Sequence, residues 1–199
     1  MTRPRILLAD DHRLMLEGLQ RLLRDHYDVV GAVEDGRAAV EAAQQLKPDL
    51  VLLDISMPVM NGFEAARQLK SRVPECKIIF LTMHADPMYA NEAFRAGGAG
   101  YILKRSAATE LVQAVQVVLG GKPYVTPMVV KDLLHPLLDG AVKLGDADGL
   151  SFQEQKVLRL MAEGRSATEI AGALNIPVRV AAADISKMIE LLNLQRSSS

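Results

Sequence analysis

The sequence predicts an α/β protein: a doubly wound, five-stranded parallel sheet followed by a small all-α domain built as a helix-turn-helix. Three observations carry this. Short apolar runs alternate with longer stretches of helical period through residues 1–123, the pattern of a parallel sheet covered by helices on both faces. The rhythm stops after Gly120-Gly121, where Pro123, Pro127 and Pro136 interrupt the chain. Residues 149–199 then carry two helix-start signatures and a turn between short apolar stretches.

Taken in order, Ile6-Leu7-Leu8-Ala9, Val29-Val30-Gly31-Ala32-Val33, Leu50-Val51-Leu52-Leu53, Ile78-Ile79-Phe80-Leu81 and Tyr101-Ile102-Leu103 have the length and composition of buried strands. Between them, Leu16, Leu19 and Leu23 share one helical face, as do Val40, Ala43 and Leu46, and Phe63, Ala66, Leu69 and Lys70. Leu111, Val115, Val118 and Leu119 mark the last helix of this half. Right-handed crossovers place the ligand mouth of such a sheet at the carboxyl ends of its strands. Residues 124–148 read as a linker with a short helix, ending in the Gly-rich turn Gly145-Asp146-Ala147-Asp148-Gly149. In the third section Ser151-Phe152-Gln153-Glu154 and Ser166-Ala167-Thr168-Glu169 are capping boxes. Asn175-Ile176-Pro177 turns the chain, and Arg179 to Leu192 form a third helix, completing the helix-turn-helix plan.

Composition narrows the function. Of 199 residues, 49% are apolar and 24% charged, with 23 Lys and Arg against 24 Asp and Glu. That is a globular balance, and it excludes a disordered chain and a nonspecific nucleic-acid coat. Cys76 is the only cysteine, so no internal disulfide or cysteine-based metal cluster can form. The longest charge-free run, Leu111 to Gly121, is too short to span a bilayer, and no signal-peptide core precedes the first strand. A soluble, cytoplasmic protein without membrane partners is expected.

Asp10 and Asp11 follow strand one, Asp54 ends strand three, Thr82 ends strand four and Lys104 follows strand five. These positions converge on one mouth, so three carboxylates, a hydroxyl and an ammonium share a small cleft. Crowded carboxylates repel unless a cation lies among them, and hard oxygen donors suit Mg²⁺. A carboxylate beside Mg²⁺ can act as a nucleophile toward phosphorus, with the metal and the ammonium neutralising the transferring group.

Asp10-Asp11-His12, Asp54-Ile55-Ser56-Met57-Pro58-Val59-Met60-Asn61-Gly62, Thr82 and Gly97 to Lys104 together resemble the flavodoxin-like receiver domain of two-component response regulators. The resemblance implies that Asp54 accepts a phosphoryl group from a sensor histidine kinase. It further implies that Asp10, Asp11, Asp54 and the backbone carbonyl of Ser56 hold Mg²⁺, and that Lys104 and Thr82 bind the phosphate. Thr82 and Tyr101 form the switch pair, with Tyr101 turning inward as Thr82 moves. His84 and Ser56 stand two residues beyond Thr82 and Asp54, where relatives tune phosphate lifetime. The four histidines form no ligand set. The only catalysis implied is autocatalytic phosphoryl acceptance and autodephosphorylation, so the protein is not an enzyme in the usual sense. A Mg²⁺-dependent phosphatase would need an acid where Ser56 stands.

Leu150 to Gly164, Glu169-Ile170-Ala171 and Leu174-Asn175-Ile176 resemble a LuxR-type helix-turn-helix, which makes nearly the whole chain similar to a NarL/FixJ-type response regulator. In that family the third helix enters the DNA major groove. The positions that would reach DNA here are Arg179, Ala182, Ala183 and Lys187. Ala182 stands where relatives carry a lysine and Asp184 where they carry a histidine. Residues 146–199 hold six basic and seven acidic side chains, where a groove binder is usually positive, and alanine offers bases only a methyl group. The sequence also ends before the family's usual last helix. Two outputs remain open: transcription regulation through DNA, with homodimerisation on phosphorylation, or a phospho-switch whose altered helix-turn-helix acts by protein contact or autoinhibition.

Overall fold

Alternate residues of each apolar run face opposite sides of one sheet, which is why the runs are apolar throughout. In the computed structural model, which describes residues 3–129 and 151–196, the strands are β1 (Arg5–Ala9), β2 (Asp28–Val33), β3 (Leu50–Asp54), β4 (Lys77–Thr82), β5 (Gly100–Leu103) and β6 (Tyr124–Val125). All pairs are parallel, in the order β2-β1-β3-β4-β5-β6. Leu7, Ala9, Val51, Leu53, Ile78, Phe80, Tyr101 and Leu103 fill one face, against α2 (Gly36–Leu46), α3 (Gly62–Arg72) and α4 (Pro87–Arg95). Ile6, Leu8, Leu50, Leu52, Ile79, Leu81 and Ile102 fill the other, against α1 (Arg13–Leu23) and α5 (Ala107–Leu119).

The sheet has six strands, not the expected five. Tyr124-Val125 falls in the stretch read as linker, yet Tyr124 N donates to Ala99 O at 3.1 Å and Thr126 N to Tyr101 O at 2.9 Å. A two-residue strand between Pro123 and Pro127 carries no periodicity, so only the pairing with β5 reveals it. β6 therefore carries the sheet past residue 123. From residue 130, the expected linker and its short helix lie outside the described residues.

Local chemistry starts the helices where the sequence indicates. Asp35, Asn61 and Asp86 cap α2, α3 and α4 through their side chains, accepting from Ala38 N, Glu64 N and Met88 N at 2.8 to 2.9 Å. Ser151 and Ser166 form the two capping boxes with Glu154 and Glu169, opening α6 (Phe152–Ala162) and α7 (Ala167–Leu174). The third helix of this domain, α8 (Val178–Arg196), is longer than the expected 179–192. Val157, Met161, Ile170, Ala171, Ala181, Ile185 and Met188 are buried together as its core.

The helical domain rests on the sheet domain. α8 lies against α5 and against β6, the strand that ends the sheet, and α7 touches α5. Val125 and Val129 join the helical core, while Ala182 belongs to the buried cluster of the sheet domain that includes Tyr124. None of the helices among the described residues is long and apolar enough to cross a membrane.

Candidate functional site

β1 leads to β2 on one side and, by way of β3, to the rest of the sheet on the other. The ends of β1 and β3 therefore flank the switch point, where doubly wound sheets open a ligand crevice. Asp10 stands just beyond β1 and Asp54 at the last position of β3, both buried. Lys104, in the single 3-10 turn after β5, reaches back between them with its side chain 5% exposed. Its Nζ donates to Asp54 Oδ2 at 2.9 Å and lies 2.7 Å from Asp10 Oδ2. The second contact is an ion pair without hydrogen-bond alignment, so Asp10 Oδ2 is a buried oxygen that accepts no hydrogen bond.

The electrostatics follow from that geometry. Burial alone would pull the Lys104 ammonium down, but its close contacts with the Asp10 and Asp54 carboxylates and their charge outweigh it and raise its pKa. Burial pushes Asp54 up, partly offset by Lys104, while the Asp10 charge pushes the same way as burial. An ammonium held by two buried carboxylates stays charged, and it favours the ionised, nucleophilic form of Asp54.

Asp10, Asp11, His12 and Asp54 each bring a donor atom within 4.8 Å of the others. The bare Asp10 oxygen and three hard carboxylates fit a divalent cation that prefers oxygen. His12 was set aside on sequence, yet its Nδ1 lies 2.8 Å from Asp11 Oδ1 and 3.2 Å from Asp10 Oδ1. Its adjacency to Asp10-Asp11 was the available signal. At the N-cap of α1 it makes no side-chain cap, because its ring turns to the carboxylates.

The loop after Asp54 is tightly held. Ile55 N donates to Asp54 Oδ1 at 2.7 Å, and Gly62 N donates to Ile55 O at 2.9 Å. A Cβ at Gly62 would lie 2.1 Å from Asp54 O, so only glycine lets α3 start this close to the phosphoacceptor candidate. Met60 N donates to Pro58 O at 2.6 Å around Val59, whose φ is 66°. That is a strained turn for a β-branched residue. Ser56 is exposed, and its Oγ lies 3.3 Å from His84 Nε2. The His84 ring stacks on Tyr89 at 4.1 Å. Thr82 ends β4, beside β3, and is fully buried, with Oγ1 accepting from His84 N at 3.2 Å. Tyr101 is also fully buried, its hydroxyl donating to His84 O at 2.8 Å. The ring thus lies inward in this structure.

The four positions expected to face DNA do not share one open surface. Arg179 is exposed and Ala183 half-buried, but Ala182 is fully buried against the sheet domain. Lys187 is exposed yet paired with Glu154 of α6, and Asp184 Oδ2 accepts from Gln153 Nε2 of the same helix at 2.7 Å.

Residues 6–116 match the response regulator receiver domain family. Over 192 residues the chain is 36% identical to the transcriptional regulatory protein DesR of Bacillus subtilis, covering 96% of this chain and 90% of DesR. Its fold is similar to that of the RcsB response regulator of Salmonella typhimurium, with a TM-score of 0.62 and 31% identity over 97% of this chain and 93% of that one. It is similar, at a TM-score of 0.62 and 30% identity, to a structure of RcsB dimers bound to DNA, covering 92% of this chain and 88% of that one.

Proposed function

Because this chain belongs to the two-component response regulators of the NarL/FixJ type, we propose that Asp54 is its phosphoacceptor and that phosphorylation there governs the helical domain's action on transcription. The observation that carries this is the Lys104 ammonium set between Asp54 and Asp10 at the β1/β3 switch point.

A carboxylate oxygen of Asp54 attacks the phosphorus of a phosphohistidine on a sensor kinase. The P–O bond to Asp54 forms, the P–N bond breaks, and the imidazole leaves to take up a proton. Asp10, Asp11 and Asp54, with the backbone carbonyl of Ser56, would hold Mg²⁺, which when bound neutralises charge on the transferring group. Lys104 shifts its ammonium from the Asp54 carboxylate to the new phosphoryl oxygens, and the Thr82 hydroxyl donates to the same group. Thr82 gives up its bond from His84 N in doing so, which links phosphorylation to the buried Tyr101 and to α4. The test is labelling by acetyl phosphate with Mg²⁺, read by intact mass. One phosphoryl group per chain is expected, and none in Asp54→Asn; full labelling of that variant would show that another residue is the acceptor.

The burial of Ala182 favours a second reading of the output. With that residue under the sheet domain and Lys187 tied to Glu154, the helical domain acts by docking, on its own receiver or on a protein partner, in place of DNA. The likeness to DNA-bound RcsB dimers supports the first reading, with a homodimer forming on phosphorylation. Polarisation titrations against DNA at low salt decide between them. Salt-sensitive binding that appears on phosphorylation supports DNA output, and its absence in both states supports docking.

A further inference from the structure

The seam between the two domains buries a carboxyl group that the phosphoryl chemistry does not use. Glu110, in the first turn of α5, is 1% exposed. Its Oε2 accepts from Tyr124 Oη at 3.2 Å and from Thr126 Oγ1 at 3.0 Å, and its Oε1 has no hydrogen-bond partner. Thr126 Oγ1 in turn accepts from Leu103 N at 3.2 Å, the residue before Lys104. Among the described residues no cation offsets this carboxylate. Across the seam, α7 presents another acid, Glu169, whose charge opposes ionisation of Glu110. Ala182 of α8 is uncharged and buried in the cluster that includes Tyr124 and Leu111, and Ser186 one turn on is buried too, while Asp184 and Lys187 turn toward α6 and Arg179 is exposed. Tyr124 is fully buried, and its hydroxyl stays neutral because burial pushes its pKa up.

We propose that Glu110 is a proton-operated latch between the receiver and the helical domain, neutral while α7 and α8 lie over it and ionised when they lift away. This goes beyond the phosphoacceptor reading and holds whichever partner the helical domain serves. The physical reason is the cost of a buried carboxylate with one bare oxygen and no cation, a cost that either water or a proton removes. Burial first, and the Glu169 charge as a smaller contribution, lift Glu110 from 4.5 to about 7 against the two hydroxyl donors. Closure therefore takes up a proton. Its contribution to the closed arrangement is complete below pH 4.5, falls as pH rises and is gone above about pH 7. Between pH 5.5 and pH 8 the ratio of closed to open chain drops by about 30-fold on this account. Because Thr126 joins Glu110 to Leu103, the latch is also one residue from the lysine that reads the phosphate.

The test is a ¹³C carboxyl NMR titration of the full, unphosphorylated chain, with the Glu110 signal assigned by its loss in Glu110→Gln. A midpoint near 7 is expected in the native chain, and a return to the ordinary value near 4.5 in Ala182→Lys, which drives a charge into the seam and opens it. A native midpoint near 4.5, or one that Ala182→Lys leaves unmoved, overturns the proposal. Circular dichroism shows whether Ala182→Lys keeps its helices. If it does not, Glu169→Gln decides: that variant keeps the capping box and removes the facing charge, so its midpoint must fall below the native one, and an unchanged midpoint overturns the latch.

Discussion

The carboxylates at the switch point and the one at the domain seam are all buried, and the two regions treat the charge in opposite ways. At the switch point, Asp10 and Asp54 close on the Lys104 ammonium at 2.7 and 2.9 Å. At the domain seam, Glu110 has two hydroxyls, a bare oxygen and a second acid across the interface. The first arrangement sets an ammonium against its acids and offers hard oxygens to a cation, which is what an attacking carboxylate needs. The second makes ionisation unfavourable and calls for a proton. Compensation by a fixed charge suits chemistry, whereas compensation by a mobile proton suits a reversible contact.

Neutralising each centre should therefore move stability in opposite directions. The largest effect is expected for Lys104→Met, which leaves Asp10 and Asp54 facing each other without their cation. It should cost about 3 kcal/mol in urea unfolding at neutral pH, and added Mg²⁺ should restore part of that. A variant as stable as the native chain would mean that the carboxylates do not depend on the ammonium. Next comes Glu110→Gln. Since the native group is raised to about 7, the native chain loses stability as pH climbs from 4.5 through 7, while the variant does not. Glu110→Gln should match the native chain near pH 5 and exceed it by about 2 kcal/mol at pH 8. Equal stability at both pH values would remove the contrast between the two centres. The smallest shift is expected for Asp11→Asn, whose side chain is 33% exposed. Relief of repulsion should add about 0.5 kcal/mol without divalent cation, and the stabilisation by Mg²⁺ seen in the native chain should shrink. An undiminished Mg²⁺ response would remove Asp11 from the cation site.

Much of this was legible in the residues. Five strands announce themselves as apolar runs because a doubly covered parallel sheet needs both faces apolar. Asp10, Asp11, Asp54, Thr82 and Lys104 are found at strand ends because the topology leaves them nowhere else. The seam was hidden. Glu110 reads as an ordinary acid in a helix's first turn, favourable to the dipole and solvated. Only tertiary structure buries it and brings the Tyr124 and Thr126 hydroxyls to it. β6 itself is too short to leave a pattern. By sequence Ala182 is a missing phosphate contact, and the structure places that small side chain in the buried cluster of the receiver that includes Tyr124. His12 lay next to the acids in sequence, but its contact with them depends on a side-chain orientation that no pattern encodes.

Ala182 has a consequence for any measurement of DNA affinity. A helix face tethered beside its own docking surface meets that surface at an effective concentration of the order of millimolar, so the receiver acts as a built-in competitor for whatever else would occupy α8. The affinity observed for an outside partner is the intrinsic one multiplied by the fraction of chains with the seam undone. Placing a lysine at 182 would add a phosphate contact and evict the competitor in the same step. Tighter DNA binding by that variant would therefore mix two gains, and only a variant that opens the seam without adding charge to α8 can separate them.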